Sequence, residues 1–450
     1  MSDRVTRRAV LHAGVAATAV AGAGGLVGCG SRSTTGDDTP LQFWQFYAPQ
    51  SLSQPDLKAQ NQWFLDAAAD WNARNKTKVQ MVYIPNFTDP SNTRLATAFA
   101  SGSGPDIFLI SPGDFLRYAN GGALFDLAPF MTKEAIADFS PSVLSTRTIG
   151  DKIFGLPMEV EPLAMFYSKP AFEKAHLSEA DLPTSWDELL EVAGKLTTAT
   201  QSGLVFETTP GYFQNFTWYP WLWQGGGEVI DPQTQKATFD SPAAVQALTL
   251  WGDSIAKGVA PRTLPANGDL PGAFREGFAA MWQSGIWQVA GFRANQPDFQ
   301  YGVFPLPTPP GGKPATVLGG WAWCVNARGR NPEAAAKFVV ESIGSMSAAS
   351  IARVATWCSV AKSDMAPRKS VEAHMAASGV FTKDPMLGYF RDKILPAGRS
   401  EPRYPPPLYK ALSNAIQNVQ SAGANAAGQV RVAQGAIEAF LETYDGGSLR

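Results

Sequence analysis

From Leu41 onward, short apolar runs alternate with stretches whose apolar positions recur at helical spacing. LQFWQFY (41–47) predicts a first strand. NQWFLDAAADWNARN (61–75) places Trp63, Phe64, Ala67, Ala68 and Trp71 on one helical face. KVQMVYIP (78–85) predicts a second strand stopped by Pro85, and TRLATAFASG (93–102) a helix stopped by Gly102. PDIFLIS (105–111) is almost wholly apolar, the pattern of a parallel strand buried on both faces, and FLRYANGG (115–122) predicts a helix with a glycine cap. This βαβαβα order implies an α/β lobe built on a mainly parallel sheet. Ligands of such sheets sit beyond the carboxyl ends of the strands. That rule places Gln45, Phe46 and Tyr47 on the first loop, and Ser111 to Asp114 on the third, at a candidate site.

The middle of the chain has a different rhythm. KIFGLPMEVEPLAMFYSKPAF (152–172) breaks into strand-like pieces at Pro157, Pro162 and Pro170. TSWDELLEVAGKL (184–196) opens with Ser185 and Glu188 at the spacing of a capping box. A further amphipathic helix runs from Asp240 to its stop at Gly258, and 302–326 reads as strand, Pro/Gly-rich turn, strand. NPEAAAKFVVESI begins a helix near Pro332, and the last third is helical except for RYPPPLY (403–409). There is no internal repeat and no long linker after Pro40, so two lobes must be joined by extended segments.

Hydrophobic residues make up 45% and charged residues 17% of the 450, enough for sizeable cores and without the composition of a disordered chain. A formal net charge of -2 gives no electrostatic reason to expect nucleic acid or an anionic membrane surface as partner. The N-terminus carries Arg7-Arg8 ahead of an Ala/Gly-rich apolar run, the form of a twin-arginine export signal, although arginine pairs also precede general secretory signals. The run ends in Leu26-Val27-Gly28-Cys29, which reads as a lipoprotein cleavage site with Cys29 as the lipidated residue. Residues 1–28 are then a signal peptide and 29–40 a polar tether, with an uncleaved anchor as the alternative. No later stretch has the ~20 uninterrupted apolar residues of a membrane span. Cys324 and Cys358 remain, either as a disulfide or as two buried thiols, and the three histidines lack the spacing of a metal site. No metal or cofactor is expected.

The ordered set GSGPDIFLIS…YANGGALFDL (102–127), IFGLPMEVEPLAMFYSK (153–169), LPTSWDELLEVAGKL (182–196), WLWQGGGEVID (221–231), FREGFAAMWQSGIW (274–287) and YGVFPLPTPPGG…LGGWAWCVN (301–326) resembles the extracellular sugar-binding lipoproteins of bacterial ABC importers, the group that includes maltodextrin-binding protein. The resemblance implies a two-lobed periplasmic-binding-protein fold that closes by hinge motion. Its first lobe takes 41–160 and 319–367, its second 161–318 and 368–450. It also implies a small carbohydrate ligand, an ABC permease as partner, a membrane tie through Cys29, an extracytoplasmic monomer and no enzymatic activity. The chain should cross between lobes near 159–162, 319–321 and Pro367.

Sugars present apolar C–H faces to aromatic rings and hydroxyls to carboxylates, amides and arginine, so a sugar cleft mixes these residue types. AAMWQSGIW matches the family motif that carries a stacking tryptophan, which makes Trp287 the leading candidate. Glu161 matches the acidic position at the crossing, and Glu159 shares its face if the segment is extended. Asp114, Gln45 and Tyr47 follow strand ends. Gly320 and Trp321 lie on the return crossing. Arg403 and Tyr409 flank RYPPPLY. In FTWYPWLWQGGG (216–227), a helix beginning just before Pro220 would turn Phe216 and Trp218, and less surely Trp221, toward ligand, and leave Trp223 in the core. Two other readings stay open. One is a binding protein of the same fold for a glycerophosphodiester or polyamine; the other is a secreted glycosidase using Glu159 and Glu161.

Overall fold

In a computed structural model, residues 39–48, 55–85, 93–266 and 268–449 are described, and the proposed signal, lipidation site and most of the tether lie outside them. The described residues from Pro40 onward form one compact unit holding two large sheets and a two-stranded one, Thr148–Ile149 with Lys152–Ile153. In the first sheet Leu41–Gln45 lies between Val79–Tyr83 and Ile107–Ile110, parallel to both. Ala322–Val325 then adds antiparallel to Ile107–Ile110, and Leu156–Pro157 antiparallel to it in turn. All four residues of Ile107–Ile110 are buried, as the continuous apolar run predicts.

The second sheet is mixed. Its central strand, Glu161–Ser168, is buried along all eight residues and antiparallel to Ala279–Gly285, Tyr301–Phe304 and Thr316–Gly319. Parallel strands Ser202–Val205 and Gly398–Ser400 complete the edges. Antiparallel pairing enters here because the chain arrives from the first sheet at one end and leaves for it at the same end.

That end is where the sheets are joined. The chain leaves the first sheet after Pro157, enters the second at Glu161, and returns from Gly319 to Ala322 through Gly320 and Trp321. The Met158 amide bonds the Trp321 carbonyl (2.9 Å), and Val160 exchanges amide–carbonyl bonds of 2.9 and 3.1 Å with Met365. Three segments therefore run side by side between the sheets. Beyond Pro367 the chain stays with the first lobe for another helix. Arg368 is held by Asp138 (2.8 Å) and the Ile343 carbonyl (2.9 Å), and Lys369–Ala377 packs on Ala348–Thr356. Leu387, Phe390 and Ile394 then enter a core with Phe166 of the second sheet.

Local signals hold where chemistry is local. Ser185 and Glu188 form the capping box of Trp186–Leu196. Cys324 and Cys358 are both free and buried. The aromatic helix departs from expectation: it spans Tyr212–Gln224 with Pro220 inside, starting eight residues ahead of the proline. All residues from Gln214 to Gln224 are buried. Apolar burial on every face offsets the interior proline's cost of ~3 kcal/mol. No single helix among the described residues is long and apolar enough to cross a membrane.

Candidate functional site

The loop after the first strand and the return crossing build one aromatic wall. Phe46 stacks on Tyr47 (ring centroids 4.5 Å apart) and meets Trp321 edge-on at 4.8 Å. Gly320, at φ +123°, turns the chain so tightly that a Cβ would stand 2.6 Å from the Glu159 carbonyl oxygen. The opposite wall comes from the second lobe. Phe213 and Phe216 lie three apart on one helix face and stack at 6.0 Å, and Trp287, the first residue of Trp287–Asn295, stands 6.3 and 6.4 Å from them. The Trp287 ring fits because Gly285 has no side chain: a Cβ there would come within 1.8 Å of it.

Both walls face a cavity of about 550 Å³ whose floor carries Tyr47, Glu161, Lys362, Tyr212 and Glu401. The Lys362 ammonium is buried at the junction of the three crossing segments. Its partners are Glu159 Oε1 (3.1 Å), Glu161 Oε1, Asp364 Oδ2 (3.6 Å) and Tyr47 Oη (3.2 Å). Glu159 also accepts from the Trp321 amide (3.1 Å) and from Trp357 Nε1, so one carboxylate joins two crossings and the ammonium. Oxygens of Glu159, Glu161 and Asp364 lie within 4.8 Å of one another, a spacing suited to a cation, and the Lys362 ammonium stands among them.

Three acids around one base leave negative charge in excess, and burial resists it. Burial pushes Glu161 up to about 7 despite the opposing pull of Lys362. Asp364 is raised well above the carboxylate range for the same reason. Burial also opposes the charge on Lys362, but Asp364, Glu159 and Glu161 overcome it and raise its pKa. Glu401, which accepts from Tyr212 Oη, is pushed up to about 8, burial being the main cause. Behind it Arg147 donates to the carbonyls of Ile110 (3.0 Å) and Gly320 (2.8 Å).

Of the residues singled out in the sequence, Phe46, Tyr47, Ser111, Glu161, Phe216, Trp287, Gly320 and Trp321 line this cavity. The others do not. Gln45 lies behind the wall, donating to Asn61 (3.0 Å) and accepting from the Tyr47 amide. Glu159 is sealed under Trp321 and Trp357. Asp114 lies outside, on Pro112–Asn120 beside Arg117 (3.9 Å), and burial pushes its carboxyl up to about 6. Trp218 packs on Phe239, and Trp221 donates to Gln283 (3.1 Å); both are fully buried. Residues 216 and 218 are about 200° apart around a helix, so a helix that turns Phe216 to the cavity turns Trp218 away. Arg403 ties the carbonyls of Thr148 (2.7 Å) and Ser448 (2.8 Å), and Tyr409 touches Tyr212 edge-on from outside the cavity.

Sequence reasoning did not select Tyr212, Phe213, Lys362 or Glu401 as site residues. Phe213 carried a usable signal, its i,i+3 spacing to Phe216, once the helix is begun early enough. Lys362 and Glu401 carried none, since each acquires its meaning from segments more than 150 residues away.

Two lobes, three crossings and an aromatic cleft at their junction set the frame for comparison. The family model described as bacterial extracellular solute-binding protein matches residues 54–341. The chain belongs to that family. Among relatives of this solute-binding protein, a probable ABC transporter-binding protein of Deinococcus radiodurans is 28% identical over 294 residues, 60% of this chain and 66% of that one. The chain spans about half to two thirds of the length of these curated relatives. The cyclic alpha-maltosyl-1,6-maltose binding protein of Arthrobacter globiformis has the same fold, with TM-score 0.72 at 23% identity over 90% of this chain and all of that one. UgpB of Mycobacterium tuberculosis, solved with glycerophosphocholine, matches with TM-score 0.74 at 20% identity over 90% and 98%. The family places the solute-binding protein outside the cytoplasm.

Proposed function

We propose that this solute-binding protein captures a carbohydrate, an oligosaccharide, between its lobes, closes on it by hinge motion and delivers it to the permease of an ABC importer. The observation that carries the reading is the pairing of Phe46 and Trp321 with Phe213, Phe216 and Trp287 across one cavity whose floor holds Glu161 and Glu401. Opposed aromatic walls suit the two C–H faces of a pyranose, and carboxyls suit its hydroxyls. The sugar-binding neighbour of the same fold is consistent with this. Ligand touching both walls shifts the population toward closure by its differential affinity for the closed state.

The remainder of the proposal concerns placement. Cys29 is the lipidated residue after a twin-arginine or general secretory signal, and the monomer is tied by lipid to the outer face of the membrane. The lobes divide as 41–160 with 319–367, and 161–318 with 368–450; the packing of Lys369–Ala377 on the first lobe favours a last crossing beyond Ala377. A glycosidase reading gains no support, because Lys362 holds Glu159 and Glu161 side by side on one ammonium, not across a bond to be cleaved.

A thermal-shift screen against mono- and oligosaccharides, glycerophosphodiesters and polyamines tests the reading, since a ligand of the native state raises the melting temperature with RT ln(1 + [L]/Kd). The expected hit is an oligosaccharide. A hit confined to glycerophosphodiesters or polyamines would transfer the protein to the non-sugar reading.

A further inference from the structure

The ligand cavity is more acidic than a site for neutral hydroxyls requires. Its lining includes the carboxylates of Asp56, Glu161, Asp269, Glu276 and Glu401. Asp269 and Glu276 share the exposed rim with Arg275, and the other cation of the lining is Lys362, whose ammonium is already surrounded by Glu159, Glu161 and Asp364. Glu161 is 7% exposed and lines the cavity. Its one hydrogen bond is to Lys362 through Oε1, which leaves Oε2 without a partner among the described residues. Glu401 is 2% exposed and lines the same floor, where Tyr212 Oη donates to one oxygen. The walls are aromatic faces. A cleft lined by one sign of charge with low-dielectric walls concentrates the opposite sign, and aromatic faces add an attraction for cations.

We propose that the solute is a glycan bearing a protonated amine, with the ammonium over the floor at Glu161 and Glu401 and the ring faces against the aromatic walls. The proposal rests on the glycan reading above and narrows it. A phosphodiester is disfavoured at the same floor, because its anion would meet Glu161 and Glu401 there, and the one cation of the floor, Lys362, is already committed to three carboxylates.

The groups facing the floor determine what binding does to protons. Glu161 faces Lys362, Glu159, Asp364, Tyr47 and Glu401, and Glu401 faces Tyr212, Arg147, Glu161 and the Gly113 amide. Protons offset part of the carboxylate excess, burial pushing Glu161 up to about 7 and Glu401 up to about 8. An arriving ammonium favours the ionised carboxylates and displaces those protons. A neutral glycan has no such effect.

The test is titration calorimetry of the full chain at about pH 6.5, where a sugar amine is charged. Three probes of one length are compared: the glucosamine trimer, the N-acetylglucosamine trimer and maltotriose. Two buffers of different ionisation heat count released protons. The expected result is at least about tenfold tighter binding of the glucosamine trimer than of either neutral trimer, with proton release for it alone. Glu401→Gln and Glu161→Gln, which keep shape and hydrogen bonding, should each reduce that preference. Equal or tighter binding of a neutral trimer overturns the inference and leaves the glycan reading standing. A preference untouched in both variants overturns the assignment to this floor. Binding of glycerophosphocholine with no glycan overturns both readings.

Discussion

The ring of Tyr212, from the helix packed on the second sheet, rests on Gly113, the second residue of the helix after the third strand of the first. A Cβ on Gly113 would stand 1.9 Å from that ring and 2.9 Å from Glu401 Oε1. The absence of a side chain at 113 thus sets how closely the lobes approach beside the cavity. Gly113→Ala is expected to push Tyr212 back at ~1–3 kcal/mol of overpacking, hold the lobes further apart and weaken ligand about tenfold. Small-angle scattering of the ligand-free protein should show a larger radius of gyration; an unchanged radius and affinity would refute the contact's role.

Lys362 has the reverse character, a charge that others depend on. Lys362→Met leaves Glu159, Glu161 and Asp364 without their cation and should destabilise the fold by ~3–5 kcal/mol, the cost of breaking a buried ionic cluster. Because protonation relieves carboxylate repulsion, the deficit should be smaller at acid than at alkaline pH. Urea unfolding of variant and parent at both pH values measures this; a deficit independent of pH would count against it.

The native protein should itself lose stability as pH rises. Glu161 and Glu401 titrate near 7 and near 8 when folded, above the usual 4.5, so between 4.5 and 8 the folded state binds more protons than the unfolded state. The stability slope with pH is therefore negative, at most ~1.4 kcal/mol per pH unit for each group. Glu401→Gln should flatten the upper part of this window in denaturant titrations run from acid to mildly alkaline pH.

Two tryptophans should separate binding from folding. Trp287, half-buried on the cavity wall, is expected on truncation to alanine to cost ligand affinity ~1–3 kcal/mol and to lower the melting temperature little. Trp218, fully buried against Phe239, should cost ~3–5 kcal/mol of stability on the same change and spare affinity in the molecules that fold. Equal effects of the two on affinity would contradict the division of the aromatic helix.

Much of this molecule was legible because its signals are short in range. The strands at 41–45 and 107–110 follow from apolar runs, and the helix at Trp186 from Ser185 and Glu188. The helix at Tyr212 was misjudged because Pro220 is a local signal overruled by burial on all faces. Trp287 and Phe216 were found through motif and position. Trp218 was not separable from Phe216 without the helix phase.

What the sequence determined by itself, apart from the two-lobed plan that the family resemblance implied, is therefore the order of elements and the residue types available to a cleft. These depend on periodicity, capping and neighbouring residues. Only the tertiary structure decided which of those residues share the cavity. Lys362 and Glu401 became part of the floor because two crossing segments and a third return bring distant charges within a few ångströms. Low dielectric there makes their mutual position, not their identity, set their protonation.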